Sequence, residues 1–110
     1  MKDDRPYLEH ILAAIQKIDS YTTDGRGAFM QNAMAQDAVL RNLEIIGEAA
    51  KRLSKETKDR RLDIPWRDVA GLRDVLIHNY MGVNLNRIWG VVERDLPPLR
   101  QGIEGLLDRD

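Results

Sequence analysis

Apolar residues recur with helical spacing through most of the chain, and no segment alternates with the period of two that is typical of a strand. A first apolar stripe predicts a helix over residues 5–21 and consists of Leu8, Ile11, Leu12, Ile15 and Ile18. A second stripe predicts a longer helix over residues 33–56 and consists of Val39, Leu43, Ile46, Ala50 and Leu53. Between them, the cap residues and glycines of TTDGRG predict a turn, with room for a short helix around residues 26–32.

The second half of the chain is also predicted to be helical. Pro65 fits the first turn of a helix that runs to about Tyr80, with Val69, Leu72 and Leu76 on its core face. Gly82 is a suitable end signal, and Asn84 can cap the next helix. The stripe of that helix is Leu85, Ile88, Trp89, Val92 and Leu96. We expect DLPPL to break the chain before a short final helix that carries Leu99, Ile103, Leu106 and Leu107. The pattern predicts an all-α, up-down bundle of four main helices plus one or two short helices.

The size and composition of the chain place it among small globular proteins. Its 110 residues, 43% of them hydrophobic, predict a single domain over residues 1–110. A domain of this size leaves much apolar surface uncovered, so a self-association surface would stabilise it. The absence of cysteine excludes disulfides, a thiol nucleophile and thiolate metal sites. With no charged leader and no long apolar run, we expect a soluble, cytoplasmic protein without a membrane contact.

Charge is distributed unevenly although the net charge is only -1. Residues 51–73 carry 8 basic and 4 acidic side chains, whereas acidic residues predominate in both flanking parts. A local positive patch can attract a polyanion even on a nearly neutral protein. A solvated helix end followed by a charged loop is the alternative interpretation.

A charged stripe runs along the predicted long helix. Asp37, Arg41, Glu44 and Glu48 follow one another at i, i+4, i+7 and i+11, and therefore share one face. The stripe can be the wall of a polar groove or plain helix surface. A metal-dependent enzyme that uses these carboxylates is a further, weaker possibility.

The segment GLRDVLIHNYMGV, residues 71–83, brings together candidate chemistry. Arg73 and Tyr80 are seven residues apart and point the same way on a helix. His78 stands about 140° from Arg73 at the helical step of about 100° per residue. The two side chains therefore meet at one ligand only if the helix frays or if a second subunit contributes its own copy. Asp74, four residues before His78, could hydrogen-bond the imidazole, favour its charged form and fix its tautomer.

Arginine and histidine in this pattern suit phosphodiester chemistry. Arginine offers a planar, permanently charged fork for a phosphate, and histidine can transfer protons near neutral pH. In RNA the neighbouring 2′-hydroxyl is itself the nucleophile, so this chemistry requires no metal. Metal binding is poorly supported, because His10 is the only other histidine and no paired spacing exists. An ion-pair partner, a cap and a half-buried ring are the ordinary alternative for Arg73, His78 and Tyr80.

The same residues carry a resemblance to a known family. RDVLIHNY resembles the Arg-x4-His-x-Tyr signature of HEPN-domain ribonucleases, and the wider pattern is similar to their HepT toxin branch. QDAVLRNLEIIGEAAKRLS (36–54) resembles the long helix of that branch, and IPWRDVAGLRDVLIHNYMGVNLNRIWGVVERDLPPL (64–99) resembles its next two helices. DRPYLEHILAAIQKIDSYT also fits, so the resemblance covers nearly the whole chain.

The resemblance implies a helical homodimer that acts as a metal-independent endoribonuclease without a cofactor. Such proteins are toxins of type VII-like toxin–antitoxin pairs and are encoded beside a nucleotidyltransferase antitoxin of the MNT type. By this resemblance, His78 transfers protons, Arg73 clamps the phosphate and Tyr80 positions the RNA. Tyr80 is also the position where the antitoxin would attach AMP. In the implied dimer, two copies of residues 73–80 would form one cleft at the two-fold axis. The alternative is a non-catalytic helical dimer that binds and regulates the nucleotidyltransferase.

Overall fold

The computed structural model describes residues 3–72 and 84–108, and these residues form helices without any strand. The α-helices are α1 (Arg5–Tyr21), α2 (Gly25–Met30), α3 (Ala33–Arg52), α4 (Lys55–Asp59), α5 (Trp66–Ala70), α6 (Leu85–Gly90) and α7 (Leu96–Asp108), with a π-helical turn over Val91–Asp95 between the last two. The all-α fold class predicted from the sequence is confirmed.

The long helices α1 and α3 pack along each other and form the centre of the molecule. Both predicted apolar stripes face this contact, and Ile11, Val39 and Leu43 have no exposed surface. Asn32 begins α3 by accepting a hydrogen bond from the Ala35 N–H at 3.0 Å. Helix α7 packs against α1, and α5 packs against α3, so one core connects all the main helices.

The connection between α1 and α3 consists of a glycine turn and the short helix α2. Gly25, at φ 89°, makes the left-handed turn that the glycines of TTDGRG predict. Phe29 is buried on α2, with its ring centroid 5.5 Å from that of Trp89 on α6. The side-chain amide of Gln36 donates to the Phe29 carbonyl at 3.0 Å and the Met30 carbonyl at 3.2 Å. These contacts satisfy the end of α2 and tie it to both α3 and α6.

The prediction of one helix over residues 33–56 is wrong. Helix α3 ends at Arg52, and Leu53 adopts an extended conformation with φ -69° and ψ 141°. Ser54 then begins α4 by accepting a hydrogen bond from the Thr57 N–H at 3.2 Å. Leu53 is buried in the structure and is on the apolar stripe of a continuous helix as well, so the apolar periodicity could not reveal the break.

The predicted break at DLPPL is also wrong. The chain continues from α6 through the π-helical turn into α7, which begins at Leu96 rather than near Leu99. Pro97 and Pro98 occupy the first turn of α7, where the fixed φ of proline is compatible with a helix. The Leu96 N–H donates to the Val91 carbonyl, five residues back, and this wider turn leads the chain into the proline-containing start of α7.

Helix α5 begins one residue later than Pro65, which is its N-cap. Val69 is buried and Leu72 is half-buried against the core, as the sequence predicts. The predicted end of this helix near Tyr80, Leu76 on its core face and the stop at Gly82 lie outside the described residues. Within residues 3–72 and 84–108, no helix has the length and apolar character needed to cross a membrane.

Candidate functional site

Residues 73–83, which contain RDVLIHNY and are called the signature segment below, lie outside the described residues. The mutual arrangement of Arg73, Asp74, His78 and Tyr80 therefore stays a prediction. The structure describes both flanks of their segment. On one side, Leu72 packs against the hydrophobic core. On the other, Asn84 caps α6 by accepting a hydrogen bond from the Arg87 N–H at 3.1 Å.

Helix α5 gives the signature segment a fixed starting point. The Trp66 indole N–H donates to the Lys58 carbonyl at 3.1 Å and to the Arg61 carbonyl at 3.0 Å, which joins α5 to the end of α4. Gly47 of α3 lies against the end of α5, and a Cβ atom at Gly47 would lie 3.2 Å from the Ala70 carbonyl oxygen. The start of the segment that carries Arg73 is therefore set by close backbone packing on α3.

Three of the four charged-stripe residues line a groove of about 360 Å³ between α1 and α3. They are Arg41, Glu44 and Glu48; Asp37 is exposed and does not line the groove. Arg41 Nη1 lies 3.8 Å from Glu44 Oε2, and Glu48 Oε1 lies 3.8 Å from Lys51 Nζ. The stripe is thus partly a groove wall and partly plain surface.

The groove also contains side chains that the sequence did not identify. Tyr7 and His10, three residues apart on one face of α1, line it together with Arg52 of α3. Their shared face was visible in the sequence, but apolar periodicity does not say which polar edge of α1 meets the charged edge of α3. In the described ranges, no group of three or more acidic or histidine side chains is arranged to hold a metal ion.

The basic segment, residues 51–73, divides into paired and unpaired cations. The Lys55 ammonium lies 2.7 Å from Asp59 Oδ2, and this hydrogen bond raises the pKa of Lys55. Arg61 binds both carboxylate oxygens of Asp63, at 2.9 and 2.7 Å, and lowers the pKa of Asp63. These pairs reduce the positive charge that the segment presents to a ligand.

Three other cations of the segment make no ion pair with any described residue: Arg52, Lys58 and Arg67. Arg52 and Arg67 are exposed, and Lys58 is half-buried. The positive charge available to a polyanion is therefore concentrated on these side chains, which lie on α3, α4 and α5 and precede Arg73 in the sequence.

The helical bundle and the Arg-x4-His-x-Tyr segment define a class of protein, the helical ribonucleases of the HEPN type. The chain belongs to the HepT-like ribonuclease family, whose model, described as "Ribonuclease HepT-like", matches residues 11–106. That match includes α3, α5, α6 and the whole of residues 73–83.

Several proteins are similar to the chain over most of its length. A Thermococcus cleftensis protein named "Probable ribonuclease HepT" is 41% identical over 103 residues, which are 93% of this chain and 94% of that protein. A Caldanaerobacter subterraneus subsp. tengcongensis protein, named as a candidate RNase, is 38% identical over 114 residues, covering 100% of this chain and 99% of that protein.

A longer relative shows that the match can form part of a larger protein. It is a Methanocaldococcus jannaschii protein named for two activities, gamma-glutamylcyclotransferase and a candidate RNase. It is 43% identical over 108 residues, which are 97% of this chain but 49% of that protein, so the chain spans about half of it. No solved structure matches the chain.

Proposed function

We propose that the chain is a metal-independent endoribonuclease and the toxin of a type VII-like toxin–antitoxin pair. The observation that carries the proposal is the HepT-like family match over residues 11–106, a range that contains RDVLIHNY. Relatives named as ribonucleases support the same activity.

The chemistry assigned to the signature residues cuts RNA by internal transfer. His78 removes the proton of a 2′-hydroxyl, whose oxygen forms a bond to the adjacent phosphorus. The bond from phosphorus to the 5′-oxygen breaks, and that oxygen takes up a proton from an acid. Arg73 stabilises the additional negative charge on the phosphate in the transition state. Tyr80 positions the substrate by stacking on an unpaired base.

A homodimer would supply the base and the acid from two copies of one residue. Since His78 stands about 140° from Arg73 on an ideal helix, one copy of residues 73–80 does not converge on a single phosphate. Two copies related by a two-fold axis bring both histidines to one cleft. One His78 then acts as base and the other as acid.

The unpaired cations beside the segment support an RNA substrate. Arg52, Lys58 and Arg67 make no ion pair among the described residues, so their charge can be neutralised by phosphates. Proteins bind single-stranded RNA with positively charged surfaces that contact the backbone and with aromatic side chains that stack on bases.

The activity is tested by incubating the purified protein with total tRNA in the presence of a chelator. We expect cleavage by the wild type, loss of cleavage in His78→Ala and Arg73→Ala, and wild-type cleavage in Arg94→Ala, which alters an exposed arginine on the π-helical turn. Imidazole added to His78→Ala should restore part of the activity, which an RNase contaminant would not show. Equal cleavage by all variants contradicts the proposal. A requirement of cleavage for a divalent ion, if Glu44→Ala or Glu48→Ala abolishes that requirement, contradicts it as well.

We further propose that a nucleotidyltransferase antitoxin of the MNT type silences the enzyme by attaching AMP to Tyr80. The hydroxyl oxygen of Tyr80 would attack the α-phosphorus of ATP, form a phosphodiester bond and release pyrophosphate. The added phosphate and nucleoside, close to Arg73 in sequence, would compete with RNA by both charge and volume.

Co-expression with the adjacent nucleotidyltransferase tests this regulation. We expect the intact mass of the chain to increase by one or more adenylyl groups, mapped to Tyr80, and Tyr80→Phe to stay unmodified. Expression of each gene alone tests the role of the chain. Growth arrest by this chain, relieved by the partner, supports the toxin; arrest by the partner alone supports a non-catalytic regulator.

A further inference from the structure

The groove between α1 and α3 combines three kinds of side chain that the proposed chemistry of residues 73–80 does not use. Tyr7 supplies an aromatic ring, Arg52 a guanidinium and His10 an imidazole, and all three line the same space of about 360 Å³. Sites for small organic ligands commonly occupy about 300–1,000 Å³, so this space suits a ligand of the size of one nucleotide.

Tyr7 and Arg52 lie at the same end of the groove. Asp4, which precedes α1, accepts hydrogen bonds from Ser54, two residues after the end of α3. The start of α1 therefore lies beside the end of α3. Tyr7 is three residues after Asp4, and Arg52 is two residues before Ser54. The aromatic ring and the guanidinium are thus close enough to contact one ligand.

These side chains have no competing partner in the part of the chain that the structure describes. The Tyr7 hydroxyl, the His10 imidazole and the Arg52 guanidinium make no hydrogen bond or ion pair with any described residue. His10 and Arg52 are exposed, whereas Tyr7 is half-buried and packs against the hydrophobic core. A ring that the core already holds loses little side-chain freedom when a base stacks on it.

Charge on the α3 side of the groove determines how a ligand is oriented. At about 100° per residue, Glu44 and Glu48 are displaced from Arg41 by about 60° and 20° towards Gly47, and Arg52 by about 20° in the opposite direction. Gly47 is the residue of α3 that contacts α5. The carboxylates therefore lie nearer to α5 and Arg52 nearer to α1. Because carboxylates repel phosphate, a nucleotide in the groove would turn its phosphate towards Arg52.

The combination of a ring and a cation favours a nucleotide over a simple anion. Two arginines and two glutamates line the groove, so charge alone would hold an anion only weakly. Proteins bind single-stranded nucleic acid by stacking a base on an aromatic ring while a nearby cation neutralises the phosphate. A nucleotide uses both groups.

The groove has a fixed position relative to the end of α5. Arg52 and Gly47 belong to the same helix, and a Cβ atom at Gly47 would lie 3.2 Å from the Ala70 carbonyl oxygen. A nucleotide held by Arg52 would therefore be held at a constant distance from the helix that precedes Arg73 in the sequence.

We propose that the Tyr7 end of this groove is a subsite for one nucleotide of the single-stranded RNA substrate, outside the phosphodiester that is cut. The base stacks on Tyr7, the phosphate binds Arg52, and His10 donates a hydrogen bond to an oxygen of the same nucleotide. This inference rests on the proposed ribonuclease activity. It makes Tyr7 and Arg52 positioning residues, which determine the part of an RNA strand that reaches residues 73–80.

Cleavage kinetics test the subsite. KM and kcat are measured on a single-stranded RNA oligonucleotide in the presence of a chelator. We expect Tyr7→Leu to raise KM about tenfold, as for the loss of one stacked base, and to lower kcat far less. Tyr7→Phe keeps the ring and should recover most of the affinity. Arg52→Gln should raise KM at low salt and have a smaller effect at high salt, where charges are screened.

Two matched controls separate the subsite from general effects on the protein. Tyr21→Leu removes another tyrosine of α1, 41% exposed and outside the groove, and Arg94→Gln removes an exposed arginine on the π-helical turn. Both should keep the wild-type KM, and circular dichroism compares the helix content of all variants.

Photo-crosslinking provides a measurement that a purely structural role of Tyr7 would not affect. An oligonucleotide that contains 5-iodouridine is irradiated with His78→Ala, in which Tyr7 is unchanged, and the attached residue is identified by mass spectrometry. We expect a crosslink at Tyr7 and none at Tyr21. If Tyr7→Leu loses helix content, this crosslink decides the question.

The outcomes distinguish the subsite from the activity on which it rests. A raised KM in Tyr7→Leu and Arg52→Gln, with the crosslink at Tyr7, supports the subsite. A wild-type KM in both variants, or crosslinks only at other residues, overturns the subsite while cleavage by the wild type still supports the ribonuclease. A wild type that cuts no RNA overturns both. ATP that binds more tightly than the oligonucleotide, and no longer binds in Tyr7→Leu, would give the groove to a free nucleotide and overturn the RNA subsite.

Discussion

Asp4 is a buried carboxylate that joins the start of α1 to the junction of α3 and α4. Its Oδ2 atom accepts hydrogen bonds from the Ser54 N–H at 2.9 Å, the Ser54 hydroxyl at 2.6 Å and the Thr57 hydroxyl at 2.6 Å. Only 5% of Asp4 is exposed. One side chain thus accepts hydrogen bonds from donors that would otherwise lack an acceptor at the break between α3 and α4.

Replacing Asp4 should therefore destabilise the fold strongly. We expect Asp4→Ala to lower the free energy of unfolding by about 3 kcal/mol, because several buried donors lose an acceptor that is charged. Asp4→Asn, which keeps one acceptor oxygen, should lose less. Urea denaturation followed by circular dichroism measures both. The matched control is Asp3→Ala, whose exposed carboxylate accepts, among the described residues, the Arg5 N–H at 3.0 Å. A loss in Asp3→Ala as large as in Asp4→Ala would contradict this role.

At the residue scale, periodicity predicted the buried side chains but not the buried charge. Leu8, Val39 and Ile46 lie in the core because each recurs on an apolar stripe. Asp4 has no such signal, since its partners lie 50 and 53 residues away and only the packed structure brings them together. Polar contacts over long sequence distances depend on how helices are placed, which periodicity within one helix does not determine.

At the scale of elements, the sequence predicted where helices occur better than where they end. The bounds of α1 agree with the prediction of residues 5–21. Ser54 is a cap residue directly after Leu53, the last residue of the apolar stripe, and it lies within the range predicted as one helix. At DLPPL the reverse occurred, because two prolines suggested a break where they only occupy a first helical turn. Both errors arise where a local signal and the periodicity disagree.

The contact between α3 and α5 links the core to the signature segment. Gly47 permits that contact, since an added Cβ atom would lie 3.2 Å from the Ala70 carbonyl oxygen and 3.4 Å from that of Val69. Neither carbonyl can move without moving α5. The residue type at position 47 therefore controls the position of α5, the helix that precedes Arg73 in the sequence.

We expect Gly47→Ala to displace α5 and to reduce RNA cleavage. Overpacking of this kind costs about 1–3 kcal/mol, so the midpoint of thermal unfolding should fall while the protein still folds. Gly27→Ala is the matched control, because nothing lies within 4 Å of a Cβ atom at Gly27 in α2. Thermal unfolding and tRNA cleavage are measured for both variants. If Gly47→Ala cleaves RNA and unfolds like Gly27→Ala, the close contact does not position the segment.

At the scale of the whole molecule, residues 51–73 contribute both cations and carboxylates to the surface. Arg52 and Arg67 make no ion pair with any described residue, whereas Asp63 and Asp68, together with Asp95, line a cavity between α5, the π-helical turn and the start of α7. The sequence showed that residues 51–73 are basic, but it could not show which cations are neutralised. Lys55 and Arg61 are paired with carboxylates nearby in sequence, so counting charges overestimated the positive surface.

The salt dependence of RNA binding measures which cations contact phosphates. We expect Arg52→Ala and Arg67→Ala, each in the His78→Ala background that prevents cleavage, to weaken binding of single-stranded RNA. Each lost contact should reduce the slope of log K against log salt by about 0.7, since each phosphate neutralised on a single strand releases about that fraction of a counterion.

Lys55→Ala is the control, because its ammonium is held by Asp59 and its pKa is raised by that hydrogen bond. Fluorescence anisotropy at several salt concentrations gives the slopes. Equal slopes for the wild type and both arginine variants would place the RNA elsewhere, and an equal decrease in Lys55→Ala would show that binding depends on total charge rather than on the unpaired cations.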